Sequence, residues 1–393
     1  MRTYLDFLRT PHAARLLGGT LLGRLPNGMG PLAIVLYTRA HGGSYALAGA
    51  LSALYGLAMA AGQPVLGRIM DRYGQPRILL PSALLALAGF AVLALTGVDA
   101  LPLVVAATLV AGLATPPLEA GLRALWPLVL EPARVRAAYA LDAAAQELLF
   151  TVGPLIVVAA AVVSEEAALL LTGALGLAGT LVVVTSRHSR AWRGEPRAAD
   201  WAGPLRSPGL RVLLTSLTFV GVALGVFSVA VVVYADERGI ESASGVLLAA
   251  MSAGALIGGL VYGARPRPMA ADRQLTLLLC ALAAGYVPVA LAPAMPLMTM
   301  FALVSGVFLA PVLACGFTVV DVLAPRGTVT EAFAWIVTAV GAGGALGMAL
   351  AGVAANAGGV HASFAVSAVA GLLATLVLAA GRRTLTPAAV PAP

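Results

Sequence analysis

The chain contains no lysine. All 24 of its basic residues are arginine, against 17 acidic residues in 393, and charged residues of either sign make up only 10% of the sequence. Without lysine there is no phosphate-binding loop ending in Gly-Lys-Ser/Thr, which excludes a self-contained nucleotide-driven pump of that type. The scarcity of charge excludes a soluble domain, because a chain that is 60% hydrophobic has too little polar surface to cover a globule of this size. Only two cysteines occur, Cys280 and Cys315, each inside an apolar run; they are expected as buried thiols rather than as a disulfide or a metal pair. The four histidines, His12, His41, His188 and His361, lie near segment ends, and no His/Cys/carboxylate cluster has metal-ligand spacing. No nucleophile elbow is present. The expectation is a protein that is not an enzyme and needs no cofactor and no metal. The net charge of +7 is not a nucleic-acid signature, since the arginines sit in short loops between apolar runs instead of on one amphipathic face.

Long apolar runs fill the rest. They fall at about 13–38, 44–66, 78–98, 102–128, 137–162, 167–186, 211–235, 243–263, 275–293, 296–323, 331–356 and 359–381, each near the ~20 residues that cross a bilayer as a helix. The fold class expected is an all-α integral membrane protein of twelve transmembrane helices. The first run is long and lacks a small-residue cleavage site, so it is expected as a retained span. The one long polar segment, 187–210, divides the chain into an N-terminal six-helix half (1–186), a linker (187–210) and a C-terminal six-helix half (211–393). Arginine placement orients it: with the amino terminus inside, 20 of the 24 arginines fall in cytoplasmic segments, as the positive-inside rule requires. Outside loops keep Arg39 and Arg238 and collect acids such as Asp99, Glu165, Glu166, Asp236, Glu237 and Glu241. A multi-pass inner (plasma) membrane protein with both termini cytoplasmic is the expectation. The halves echo each other. A shift of 194 sets Gly112, Pro117 and Ala120 on Gly306, Pro311 and Ala314, and a shift of 196 sets Gly49, Gly62 and Gly67 on Gly245, Gly258 and Gly263.

Between the second and third runs stands Gly67-Arg68-Ile69-Met70-Asp71-Arg72-Tyr73-Gly74-Gln75-Pro76-Arg77. This loop resembles the signature of the major facilitator superfamily, Gly-x-x-x-Asp-Arg-x-Gly-Arg-Arg/Lys. Gly67, Asp71, Arg72 and Gly74 match, while Gln75 and Pro76 stand where the family often carries two basic residues. The second-half counterpart, Gly263 to Pro268, keeps glycine and charge without the Asp-Arg pair. Within the superfamily the chain looks most like the twelve-span drug and metabolite proton antiporters. It has Gly153-Pro154 where their helix 5 carries Gly-Pro, though Leu149, Val157 and Val158 replace the flanking glycines. Of their helix 4 motif, Arg-x-x-Gln-Gly, only Arg123 is present. The resemblance implies a gate or conformational switch built from Gly67, Asp71, Arg72, Gly74 and Glu331: Asp71 would accept from the amino terminus of the helix opening at Thr328-Val329-Thr330-Glu331, with Glu331 free to pair with Arg68 or Arg72.

Ionisable residues inside spans each cost about 2.5–3.5 kcal/mol at the bilayer centre by insertion scales, so they mark candidate sites. Five lie in the first half: Arg24, Glu119, Arg123, Asp142 and Glu147. Glu119 and Arg123 are four apart and share a helix face. Depth suggests that Arg24 lies near Glu147 and Arg123 near Asp142. A carboxylate so placed balances desolvation against a neighbouring guanidinium, which suits a proton carrier; Glu147 is the first candidate and Asp142 the second. Permanent structural ion pairs are the competing reading. Polar or aromatic residues on otherwise apolar helices are the cavity candidates: Asn27, Met29, Tyr55, Gln63 and Gln146 in the first half with Phe150, and Phe227, Tyr234, Trp335 and Met348 in the second. The stripe Gly341, Gly343, Gly344, Gly347 and Gly352 is expected to permit close packing.

The function expected is proton-coupled efflux of small amphipathic organic molecules by alternating access, from a monomer whose partners are substrate, protons and the lipid bilayer. A facilitator or importer of a polar or anionic metabolite, with Arg24 as anion anchor, is the alternative. A non-transporting membrane sensor is the third reading.

Overall fold

The computed structural model describes residues 11–195, 201–264 and 269–385. Arg2, Arg9, Arg197, Arg265 and Arg267 of the orientation argument lie outside the described residues, as do residues 265–268 of the second-half loop. Among the described residues the chain is helical, without strands. The helices are α1 (Pro11–Ala40), α2 (Tyr45–Tyr73), α3 (Gln75–Leu95), α4 (Leu101–Leu113), α5 (Leu118–Val129), α6 (Pro132–Ala161), α7 (Glu165–Val184) and the short α8 (Arg187–Ala191). After the linker come α9 (Pro208–Arg238), α10 (Ala243–Ala264), α11 (Ala271–Val289), α12 (Met295–Gly306), α13 (Leu309–Leu323) and α14 (Val329–Ala380). Nine stretches among the described residues are long and apolar enough to cross a membrane, with α4–α5 and α12–α13 each counted as one.

Local chemistry sets the boundaries. Ser44, Ser164, Ser186 and Ser207 cap α2, α7, α8 and α9, each hydroxyl accepting the backbone N–H three residues on. Gly74, at φ +90°, ends α2 by donating to Met70 O at 2.9 Å, and Pro76 in the first turn of α3 restarts the chain at once. The apolar run 102–128 is not one helix: Pro116 and Pro117 bring no amide donors and separate α4 from α5. The run 296–323 is likewise interrupted, at Val307–Phe308. The 52 residues of α14 are two helices meeting at Gly358 and Gly359, the latter at φ +63°.

Contacts divide the chain into two compact units. The first comprises Met1–Val135, Ala145–Asp200 and Arg326–Thr338; the second comprises Arg136–Ala144, Trp201–Pro325 and Ala339–Pro393. Inside each, helices meet backbone to backbone at glycines. In the first unit a Cβ at Gly62 would overlap the Leu113 carbonyl, and one at Gly112 would stand 2.6 Å from the Tyr55 carbonyl, so α2 and α4 interlock through reciprocal glycines. The second unit repeats the device: Gly258 lies on the Val307 carbonyl and Gly306 on the Met251 carbonyl, joining α10 to α12. A further repeat is polar. Tyr37 donates to Thr96 O at 2.8 Å and Tyr234 to Pro293 O at 2.6 Å, the same pair displaced by 197 residues at both ends (37 to 234, 96 to 293). Of the glycine stripe in α14, Gly343 and Gly347 press on the carbonyls of Thr218 and Val222 of α9, while Gly341 and Gly352 meet nothing within 4 Å.

The cysteine expectation needs one correction. Cys315 is buried, its thiol donating to Ala271 O at 3.4 Å, but Cys280 is exposed. An apolar run is apolar against lipid as well as against protein, so hydropathy does not separate a core position from a bilayer-facing one.

The glycine contacts carry a prediction. Gly258→Ala inserts a methyl into the Val307 carbonyl and should destabilise the protein by about 1–3 kcal/mol, whereas Gly49→Ala, which meets nothing within 4 Å, should be neutral or gain up to ~1 kcal/mol of helix propensity. Thermal unfolding of the two purified variants in detergent measures the contrast.

Candidate functional site

A buried ion cluster occupies the first unit, built at the break between α4 and α5. The Thr115 carbonyl freed by that break accepts Gln63 Nε2 at 3.1 Å. Every residue of α5 from Leu118 to Trp126 is buried. Glu119 sits in its first turn, where the helix dipole favours a carboxylate. Arg123, one turn on and 0% exposed, meets Glu119 Oε1 at 2.5 Å. Arg24 of α1, 2% exposed, reaches Glu119 Oε2 at 2.9 Å and donates to Gln146 Oε1 of α6 at 2.8 Å. The two guanidiniums thus converge on one carboxylate. The approach of α1 to α6 is fixed by small residues: a Cβ at Gly28 would lie 2.6 Å from Leu149 O, and one at Gly153 3.1 Å from the Gly28 carbonyl carbon. Glycine at 153, in the Gly-Pro pair, therefore belongs to the α1–α6 contact that brings Arg24 to Gln146.

Glu147, next to Gln146, is half-buried on α6, and its backbone carbonyl accepts the Thr151 hydroxyl at 3.1 Å. Asp142 is fully buried and falls in the second unit, where Ala140 and Ala144 of the same helix pack on Gly259 of α10. Depth and spacing place Glu119 on the face of Arg123; they give no sign that Arg24 joins it. That convergence is tertiary.

A second focus lies at the arginine-rich end of α2. Asp71, 4% exposed, accepts the backbone amides of Thr330 and Glu331 at 3.0 and 2.9 Å, capping the first turn of α14 from another helix. Arg68 pairs with Glu331 at 2.6 Å, the Glu331 side chain being 1% exposed. Gly67 makes this possible, since a Cβ there would stand 3.1 Å from Glu331 Cα. Of the two arginines open to Glu331 by sequence, Arg68 takes it; Arg72 is exposed and lies over the Tyr73 ring, 5.4 Å from its centroid.

The cavity candidates separate. Met29 and Tyr55 are fully buried in the hydrophobic core of the first unit, with Tyr55 beside Phe90. Phe227 is fully buried between Tyr286 and Phe364, and Tyr234 is buried through its bond to Pro293. Phe150 and Met348 are half exposed. Asn27 and Trp335 are partly buried, and Asn27 Oδ1 and Trp335 Nε1 have no hydrogen-bond partner among the described residues. A small crevice in the first unit is lined by Gly23, Pro26, Phe90, Thr115, Pro116 and Gly176. Sequence reasoning missed Glu237, whose carboxylate accepts the Val360 amide at 2.9 Å beside Gly359. The Gly358-Gly359 pair signals the break there, but no spacing points to its cap.

The family model for the major facilitator superfamily matches residues 16–295, most of the chain. The chain belongs to the major facilitator superfamily. A search of curated protein sequences finds no significant match. Solved structures match over most of the chain. The human organic anion transporter MFSD10 (TETRAN) aligns at TM-score 0.71 and 16% identity, over 94% of this chain and 99% of its own. A bacterial homologue of the iron transporter ferroportin, in an outward-facing state, aligns at 0.76 and 14%, over 94% and 98%. The transporter FucP, in its outward conformation, aligns at 0.72 and 13%, over 95% and 98%. At these identities the likeness is one of fold. As a superfamily member the chain is a multi-pass membrane transporter, with a small-molecule substrate and a lipid bilayer around it, and not an enzyme.

Glu119 is the residue on which the ion cluster depends. Glu119→Gln leaves two buried guanidiniums without their shared carboxylate and should cost about 3–5 kcal/mol. Thermal unfolding in detergent reads the loss, and Glu119→Gln combined with Arg123→Gln should recover part of it.

Proposed function

We propose that the chain is a proton-coupled exporter of small amphipathic organic molecules. It works as a monomer in the inner (plasma) membrane, with both termini cytoplasmic, by alternating access between two six-helix halves, 1–186 and 211–393, joined by the linker 187–210. Twelve spans are supported by the nine apolar stretches, with α14 counted as two helices and with α1 and α11, whose charged and polar residues lower their hydropathy, added. The repeated glycine and tyrosine contacts support two equivalent halves.

The single observation that carries the coupling assignment is the division of labour around Arg24. Glu119 holds Arg24 and Arg123 in place, and the next helix over presents Gln146 to Arg24 with Glu147 beside it. In this reading Glu119 is the fixed counter-ion that makes buried arginines tolerable, and Glu147 is the half-buried carboxylate that takes and releases the proton, with Asp142 a turn and a half earlier on α6 as second carrier. Asn27 Oδ1, an acceptor, and the Trp335 indole N–H, a donor, are the groups that we assign to polar parts of the substrate. Asp71, with Arg68 and Glu331, is assigned as the cytoplasmic latch of the outward-open state.

A second reading is favoured by one contact. One partner of Arg24 on α6 is a neutral amide, and an anionic group on a substrate could displace it, making Arg24 the anchor of a facilitator or importer for an anionic metabolite.

Both readings meet in proteoliposomes carrying the purified protein, with proton movement followed against a panel of cationic, neutral and anionic compounds. For the exporter, an imposed proton gradient drives substrate movement, Glu147→Gln abolishes coupling while leaving substrate binding intact, and Asp142→Asn reduces it. Substrate flux that ignores the gradient, with wild-type behaviour in both variants, removes the proton assignment. Transport confined to anions and lost in Arg24→Gln selects the second reading.

A further inference from the structure

Asp71 is held on two sides. Its carboxylate takes the Thr330 and Glu331 amides, and its main chain is covered by a different segment, residues 192–195, leading out of α8. A side chain at Gly194 would overlap the Asp71 carbonyl oxygen and stand 3.2 Å from Asp71 Cα, so the two backbones touch with no side chain between them. A Cβ at Gly74 would lie 3.3 Å from Arg193 Nη1 and 3.4 Å from Trp192 O. The same segment therefore lines the signature loop at two of its four matching positions.

The segment is anchored independently of Asp71. Ser186 caps α8 through the Ser189 amide at 3.2 Å, and Ser189 and Trp192 are buried. The Trp192 amide donates to His188 O at 2.9 Å, and Arg193 folds back to donate to the carbonyls of Arg190 and Trp192, both at 2.8 Å. Arg15 of α1 fixes the preceding turn by donating to the Thr185 hydroxyl at 2.8 Å. Past Gly194, Glu195 reaches Arg326 at 3.8 Å, just ahead of α14. One short stretch of linker thus touches the loop that carries the carboxylate and the approach to the helix it caps. The Asp71 carbonyl is one of the last four of α2, which have no partner within their own helix; Met70 O takes the Gly74 amide, and Gly194 covers the position next to it. Covering the helix end fixes the direction in which the Asp71 side chain leaves it.

We propose that residues 192–195 form a strap that positions Asp71 for its contact with α14. Gly194 is the positioning residue and Trp192 the anchor. The linker is then part of the conformational switch as well as a tether, and this rests on reading the Asp71–α14 contact as the latch.

Hydrogen–deuterium exchange of the full-length protein tests it at the amides of Thr330 and Glu331, with Asp71→Asn as reference. Three variants are compared with wild type: Asp71→Asn, Gly194→Ala, which adds one methyl against Asp71, and Trp192→Ala, which adds no bulk and removes the anchor. Loss of a charge-assisted bond should speed local exchange about tenfold. The strap predicts that Gly194→Ala and Trp192→Ala approach the Asp71→Asn rate at 330–331 while residues 213–231 of α9 stay at wild-type protection. Wild-type protection at 330–331 in both strap variants, with faster exchange in Asp71→Asn, overturns the strap and leaves the latch. No change in Asp71→Asn overturns the latch reading and the strap with it. Faster exchange spread equally over 213–231 also counts against the strap, since that is general loosening. If Gly194→Ala does not fold, Trp192→Ala alone decides by the same criteria.

Discussion

A guanidinium carried into an apolar bundle has no water to meet it, and Arg24 and Arg123 set that problem for the first unit. The answer is a carboxylate at the start of a short buried helix, and most of the local architecture serves to put it there. Pro116 and Pro117 break the fourth apolar run, the break creates a helix amino terminus inside the bundle, and Glu119 occupies that terminus. Gln63 satisfies the carbonyl that the break exposes. A continuous helix through this run would remove the buried amino terminus and leave Gln63 without its acceptor. The prolines are therefore part of the electrostatics, because they make a place where a buried acid is favoured by the backbone as well as by its arginine partners.

The second constraint is packing without a hydrophobic driving force. Apolar side chains gain nothing by leaving lipid for protein, so helices in a bilayer associate through close backbone approach and the few hydrogen bonds they can share. The reciprocal glycines of α2 and α4, repeated in α10 and α12, meet that constraint in each unit, and the tyrosine-to-carbonyl bonds repeated at 37 and 234 add the polar part. Sparse side-chain chemistry is enough when the contacts are this short. A chain with 44 glycines and four tryptophans follows from this: bulk at the crossings would push the helices apart.

Legibility in the sequence followed the range of the interaction. The helices could be read from hydropathy, and the contact of Asp71 with the residues opening at Thr328 could be read because a signature loop carries it. Glu119 and Arg123 could be paired because four residues on a helix is a local distance. Arg24 could not be assigned to Glu119, since nothing in spacing reports which faces of two different helices meet. The break at Pro116–Pro117 had a signal in its two prolines, yet hydropathy runs straight through it; the interruption at Val307–Phe308 had none. Cys280 and Cys315 look alike in sequence because a lipid-facing run and a core run have the same composition. Gly194 was invisible, being one of many glycines and lying in a segment read only as a linker.

In the proposed cycle the Asp71 contact has to be strong enough to hold one state and weak enough to be left. Two bonds from amides to a carboxylate contribute about 1.5–3 kcal/mol each when made, and the Arg68–Glu331 pair adds little, because Arg68 is 40% exposed and its charge is screened. That sum is comparable to the ~5.5 kcal/mol that swings a two-state equilibrium from 1:99 to 99:1. A contact in this range works as a switch only if its geometry is reproduced each time it closes, since a carboxylate turned aside from the Thr330 and Glu331 amides forfeits most of the energy. Mobility at the end of α2 would turn it aside. In the proposed strap the cover that Gly194 lays over the Asp71 main chain matters for that reason: it keeps the carboxylate aimed.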